Sequence, residues 1–121
     1  MKLAVPSDTA DGLASQRSGH FGHCAYFTIV DIDDAGNIKA VESVKNVDHD
    51  QLGCGGVIDY VLGLGVDGIL TVGMGRPPLM RFSEGGVSVY SERTAPFVGD
   101  AVKLFIAGQA APMALSDACQ H

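Results

Sequence analysis

Seven side chains in this sequence can ligate soft or borderline metals: His20, His23, His49, His121, Cys24, Cys54 and Cys119. Three fall within five positions, in His20-Phe21-Gly22-His23-Cys24. His49 and Cys54 lie five apart, with Gly53, Gly55 and Gly56 around the cysteine. Imidazole and thiolate suit iron, copper, zinc or a sulfide cluster better than magnesium or calcium. Glycine beside such ligands lets backbone approach a bulky group and expose N–H groups to an anion. A third segment, Gly73-Met74-Gly75-Arg76, reads as a loop opening a helix, where the helix dipole and the arginine charge favour an anion. Soft ligands beside anion-binding backbone are suited to an anionic metal–sulfide cluster. Each residue also has a plainer reading. Cys24 borders a strand and reads as a small core residue, Met74 as packing, Arg76 as a surface charge, and Cys119 and His121 as a frayed terminus.

The elements that must position these residues follow from the apolar pattern. Lys2–Pro6 reads as a short buried strand and Thr9–Cys24 as a long polar loop. Tyr26–Asp33 and Ile38–Lys45 read as a hairpin around Asp34-Ala35-Gly36-Asn37. A second polar loop is expected from Asn46 to Gly56, then a helix bearing Val57, Ile58, Val61 and Leu62, capped at Gly65. Ile69–Val72 and Val87–Tyr90 read as strands, with a short proline-led helix between them. A last helix follows, capped by Thr94 and ended by Gly108. The expected fold is α/β: a five-stranded mixed sheet of order 3-2-1-4-5, strand 2 antiparallel, with three helices. Residues 1–108 form one domain and 109–121 a flexible tail. In this arrangement the three ligand-bearing loops open on one edge of the sheet, where open α/β sheets bind ligands.

Composition narrows the function. At 121 residues the chain is one domain. A net charge of −6, with eight scattered basic residues, argues against nucleic acid. No apolar run reaches the ~18 residues of a membrane span, and the first residues carry no leader pattern. The expected location is the cytoplasm, where three cysteines do not imply a disulfide framework. The absence of a C-x-x-C pair argues against structural zinc and thioredoxin chemistry. Phosphate-loop, dinucleotide and G-x-S-x-G motifs are absent as well. The expected sheet order is shared with ribonuclease-H-like nucleases, yet strand 1 carries no acid for two-metal chemistry.

Lys2-Leu3-Ala4-Val5-Pro6, then Ser18-Gly19-His20-Phe21-Gly22 followed by Tyr26-Phe27, resembles the dinitrogenase iron–molybdenum cofactor-binding family, accessory to nitrogenase cofactor biosynthesis. The likeness continues through Gly65-Val66-Asp67-Gly68 and Gly73–Pro77 to Gly108. It implies a ribonuclease-H-like fold and a small protein that binds, carries or helps assemble a metal–sulfur cofactor. His20, Phe21 and Gly22 match the family motif, whereas His23, Cys24 and Cys54 are additional ligands. Some branches of the family are associated with molybdenum–copper sulfide clusters, so the implied cargo is Mo/Fe–S or Mo–Cu–S.

The expectation is a non-enzymatic cluster carrier. Its metal ligands are drawn from His20, His23, Cys24, His49 and Cys54. Its contacts to the cluster come from His20, Phe21, Gly22, Gly53, Gly55, Gly73, Met74, Gly75 and Arg76. The partners are the cluster and the proteins that donate or accept it, with neither nucleic acid nor membrane. Two other readings stand beside it. One is a regulatory or scaffolding module with a vestigial metal site. The other is a cysteine-dependent enzyme using Cys54 with His49 or Cys24 with His20.

Overall fold

β1 (Lys2–Ser7) is buried on both faces: Leu3 and Val5 point to one, Ala4 to the other, and all three are inaccessible. A strand covered on both sides reads as an unbroken apolar run, as Leu3-Ala4-Val5 does. The computed structural model describes residues 1–19, 21, 23–47 and 49–113, and for 49–55 the backbone only.

β2 (Tyr26–Ile32) pairs antiparallel with β1, and β3 (Ile38–Lys45) pairs antiparallel with β2. Their turn closes on Asp33, whose carboxylate accepts the N–H groups of Ala35 (3.0 Å) and Asn37 (2.8 Å), while Gly36 takes φ +83°. A side chain at Gly36 would be strained by that backbone alone. β4 (Gly68–Thr71) lies parallel to β1 on its other side, and β5 (Ser88–Ser91) parallel to β4. β6 (Ala111–Pro112) pairs antiparallel with β5, giving the order β3-β2-β1-β4-β5-β6. The inner order and the antiparallel β2 are those the sequence implies. The sixth strand is a correction to the expected five. It is two residues long and holds a proline at a sheet edge, so it carries no periodic signal.

α1 (His49–Gly63) and α2 (Arg76–Glu84) cover one face. Val57, Ile58 and Val61 from α1, with Leu79 and Phe82 from α2, join Ala4, Phe27, Ile29 and Ile69 in one core layer. α3 (Val98–Ile106) covers the other face, setting Val98, Ala101 and Val102 against Leu3, Val5, Val30 and Leu70.

Two helix starts differ from expectation. α1 begins at His49, so the second polar loop is mostly helix. His49–Gly56 holds three glycines (Gly53, Gly55 and Gly56) and no apolar stripe. Tertiary packing of the following turns overrides such weak local preference.

α3 begins after Phe97, not at Thr94. Pro96 pushes Ala95 away from helical backbone, and Thr94 bonds Glu92 instead.

β1, β3, β4 and β5 all run the same way. Their carboxyl ends, Ser7, Lys45, Thr71 and Ser91, therefore share one edge of the sheet. Among the described residues no helix is long and apolar enough to cross a membrane.

Candidate cofactor-binding edge

The first loop returns along the end of β1 as an extra ribbon. Asp8 N–H donates to Gln16 O (2.9 Å) and Ser18 N–H to Pro6 O (3.0 Å). On its other side Arg17 N–H donates to Pro96 O (2.9 Å) and Val98 N–H to Ser15 O (2.9 Å). Residues 15–18 thus lie between β1 and the β5–α3 loop. The Arg17 side chain is buried there. Its Nη1 donates to Glu92 Oε1 (2.9 Å) and to Ala95 O (3.1 Å). Glu92 also accepts from Thr94 N–H (2.9 Å), Thr94 Oγ1 (2.6 Å) and Ala95 N–H (2.9 Å). Burial alone would push the Glu92 carboxyl up, but these hydrogen bonds and then the Arg17 charge outweigh it and bring it to about 2. The second terminal nitrogen, Arg17 Nη2, is buried with no hydrogen-bond partner among the described residues.

Beyond Arg17 come the motif residues. Ser18 is buried and Gly19 exposed, while His20 and Gly22 lie outside the described residues. Phe21 is 7% exposed; its ring meets Phe82 edge-on at 5.3 Å and Phe27 at 5.7 Å. It is packed as a core residue. An aromatic ring gains more from two ring partners and full burial than from a polar edge.

His23 sits exposed in a turn. Cys24 is buried at 4% exposure, and its thiol donates to Phe21 O (3.2 Å). Asn46 Nδ2 donates to Cys24 O (2.8 Å). Burial pushes the Cys24 thiol up to about 12, against a weaker opposing pull from the Ser7 N–H. That is the setting of a packed thiol.

The second loop is also corrected. His49 and Cys54 lie on the first turns of α1, and their side chains are outside the described residues. Gly53 and Gly55 lie past the first four positions of that helix, so their N–H groups belong to its ladder and are not free for an anion. Cys119 and His121 lie outside the described residues.

The third loop is held from the ends of its two strands. Thr71 Oγ1 donates to Gly73 O (3.0 Å) and Ser91 Oγ to Val72 O (3.1 Å). Met74 is 3% exposed and packs in the core. Gly73 and Gly75 are half-buried and Arg76 is exposed. Gly75 caps α2 with no side-chain hydrogen bond. Pro77 and Pro78 remove two N–H donors from the first turn, so any anion there meets the helix dipole and Arg76 more than a row of amides.

Sequence reasoning passed over Arg17, Asn46, Thr71, Ser91 and Glu92. The signal for Thr71 and Ser91 was a hydroxyl at the carboxyl end of a parallel strand. Arg17 and Glu92 carried none, because they lie 75 positions apart. Arg93, exposed with Nε 3.4 Å from Ser91 Oγ, was also missed. Because α1, α2 and α3 each follow a strand ending at this edge, all three begin near it, with their positive dipole ends toward it. Among the described residues no three His, Cys, Asp or Glu side chains gather as a metal-holding group.

The comparisons with known proteins agree over most of the chain. The family model described as dinitrogenase iron-molybdenum cofactor matches residues 1–108. An uncharacterized protein of Methanocaldococcus jannaschii, MJ0580, is 30% identical over 111 residues, 90% of this chain and 88% of its own. The crystal structure of PH0822 is similar at TM-score 0.78 and 31% identity, covering 93% of this chain and 96% of that one. The apo form of the orange protein from Desulfovibrio gigas is similar at TM-score 0.79 and 26% identity, covering 93% and 92%.

Proposed function

Because this chain belongs to the dinitrogenase iron-molybdenum cofactor family, we propose that it binds an anionic metal–sulfur cluster and carries it between the proteins that make and use it. No reaction is catalysed in this reading. The observation that carries it is the convergence at one sheet edge of the segment that enters the motif at Ser18 and Gly19, the Gly73–Arg76 loop and three helix N-termini. That edge offers an anion positive dipole ends and the Arg76 charge on a chain whose net charge is −6. The motif histidine His20 is the proposed principal ligand, with His23 beside it and His49 and Cys54 from the start of α1. Gly73 and Gly75 let backbone come close to a bulky cargo. Cys24, Phe21 and Met74 support the loops from beneath.

The proposed cargo is Mo/Fe–S or Mo–Cu–S, and the proposed domain runs from residue 1 through β6 at Ala111–Pro112. Anaerobic purification with elemental analysis and a visible spectrum on one sample tests it. Molybdenum, copper or iron at a fixed ratio to protein, with sulfide charge-transfer bands, is the expected result. A protein that stays colourless after reconstitution with tetrathiomolybdate and copper, and with iron and sulfide, overturns it.

A further inference from the structure

We propose that the buried Arg17–Glu92 ion pair is a positioning clamp that locks the loop entering the Ser18–Cys24 motif against the β5–α3 loop, and so sets the geometry of the cargo site. The inference rests on reading that edge as the cargo site. Four observations carry it.

First, the pair ties together two segments whose backbones otherwise meet through one isolated bridge, Gln16 with Phe97. Arg17 and Glu92 lie 75 positions apart and 2.9 Å apart in space. Second, Arg17 holds the β5–α3 loop at two points, the Glu92 carboxylate and the Ala95 carbonyl. Glu92 organises the same turn through Thr94 and Ala95. Third, the backbone around Arg17 is bonded on both sides, to Pro96 O through its own N–H and to Pro6 O through that of Ser18. The chain therefore leaves Arg17 in one direction, and it is anchored again at buried Phe21.

Fourth, the pair is poorly explained as a source of stability. Desolvating two charges offsets much of their attraction, and apolar residues of similar volume often do as well. Here one guanidinium nitrogen, Nη2, is buried without a partner among the described residues, a further cost. What an ion pair supplies that an apolar contact does not is direction, because the two hydrogens of the planar Arg17 Nη1 reach Glu92 Oε1 and Ala95 O together in few orientations.

The test uses the full chain and the double variant Arg17→Met with Glu92→Leu, which replaces the pair with apolar groups. Circular dichroism and thermal melting check the fold. Hydrogen exchange follows residues 15–19 and 92–97, and titration with copper(I) and tetrathiomolybdate reads cargo affinity.

The expected result is a melting temperature close to that of the unaltered chain, exchange about tenfold faster in those two segments with β1 and β4 unchanged, and a Kd for the probe weakened about tenfold. Unchanged exchange in the folded double variant overturns the clamp. Faster exchange with an unchanged Kd overturns its role in the site and leaves a merely structural pair.

If the unaltered chain does not take the probe, the carrier reading fails, and the exchange arm alone then judges the clamp. If the double variant does not fold, Arg17→Lys decides. Lysine keeps the charge opposite Glu92 but not the planar guanidinium that fixes the direction of both bonds, so exchange and Kd should both shift part of the way. Behaviour identical to that of the unaltered chain overturns the proposal.

Discussion

The Cys24 thiol donates to the carbonyl oxygen of Phe21 across 3.2 Å, so the cysteine closes the motif loop from below instead of facing outward. With burial pushing it up to about 12, almost none of it is thiolate at neutral pH. Cys24 should therefore resist iodoacetamide in the native protein and react on unfolding, as peptide mass spectrometry would show. Cys24→Ala should lower stability by about 1–2 kcal/mol through the small cavity it leaves, with little change in binding of copper(I) and tetrathiomolybdate. Rapid native alkylation at Cys24 would contradict the assignment.

Phe21 carries stability although it stands inside the motif. Its ring lies against Phe82, which is itself fully buried. Phe21→Ala should cost about 3–5 kcal/mol in urea unfolding, while Phe21→Leu should cost less because more of the volume stays filled. A loss of cargo binding with undiminished stability would instead make Phe21 a contact residue.

Glu92 gives the fold an acid-sensitive joint. Its carboxyl is held at about 2 against an ordinary 4.5, so the folded state favours the charged form. That contribution is fully present above about pH 4.5 and is lost as pH falls toward 2. Glu92→Gln should flatten the stability profile in that window. Unfolding curves from pH 6 down to 2.5, run on both proteins, check this; parallel profiles would show that the carboxylate is not the titrating group.

Gly99, in the first turn of α3, is a close-approach glycine. A Cβ there would lie 3.0 Å from Leu13 O and 3.3 Å from Leu13 Cβ. Alanine favours helix by up to ~1 kcal/mol over glycine, but overpacking against backbone costs about 1–3 kcal/mol. Gly99→Ala should thus be net destabilising by about 1 kcal/mol. A stabilised variant in thermal melting would mean that the Gly12–Ala14 turn moves aside easily.

At the proposed site the cargo's charge should be felt through Arg76. Arg76→Gln should weaken binding of copper(I) and tetrathiomolybdate most at low ionic strength, with the gap to the unaltered chain closing as salt screens it. His20→Ala should weaken binding at every salt concentration, because a ligand bond is not screened in that way. Both variants should melt as the unaltered chain does if their effects are confined to the site.

The order of the elements was readable in the residues themselves. Leu3-Ala4-Val5, the Asp33–Asn37 turn and Val57–Val61 each state a local preference, and chain direction then sends three loop-bearing strand ends to one edge. The clustering of His20, His23 and Cys24 was equally plain, as was the motif's likeness to a cofactor-binding family. Tertiary structure decided which neighbours in that cluster face the core. Cys24 and Phe21 are buried because Phe27, Phe82 and Asn46 close over them, and those contacts come from distant elements.

Tertiary structure also turned His49–Gly56 into helix, although the glycines there give no local reason for one. It paired Arg17 with Glu92 across 75 positions as well. Local preferences are written in neighbouring residues and can be read there. A contact between distant segments depends on how the whole sheet closes, and no window of sequence contains it.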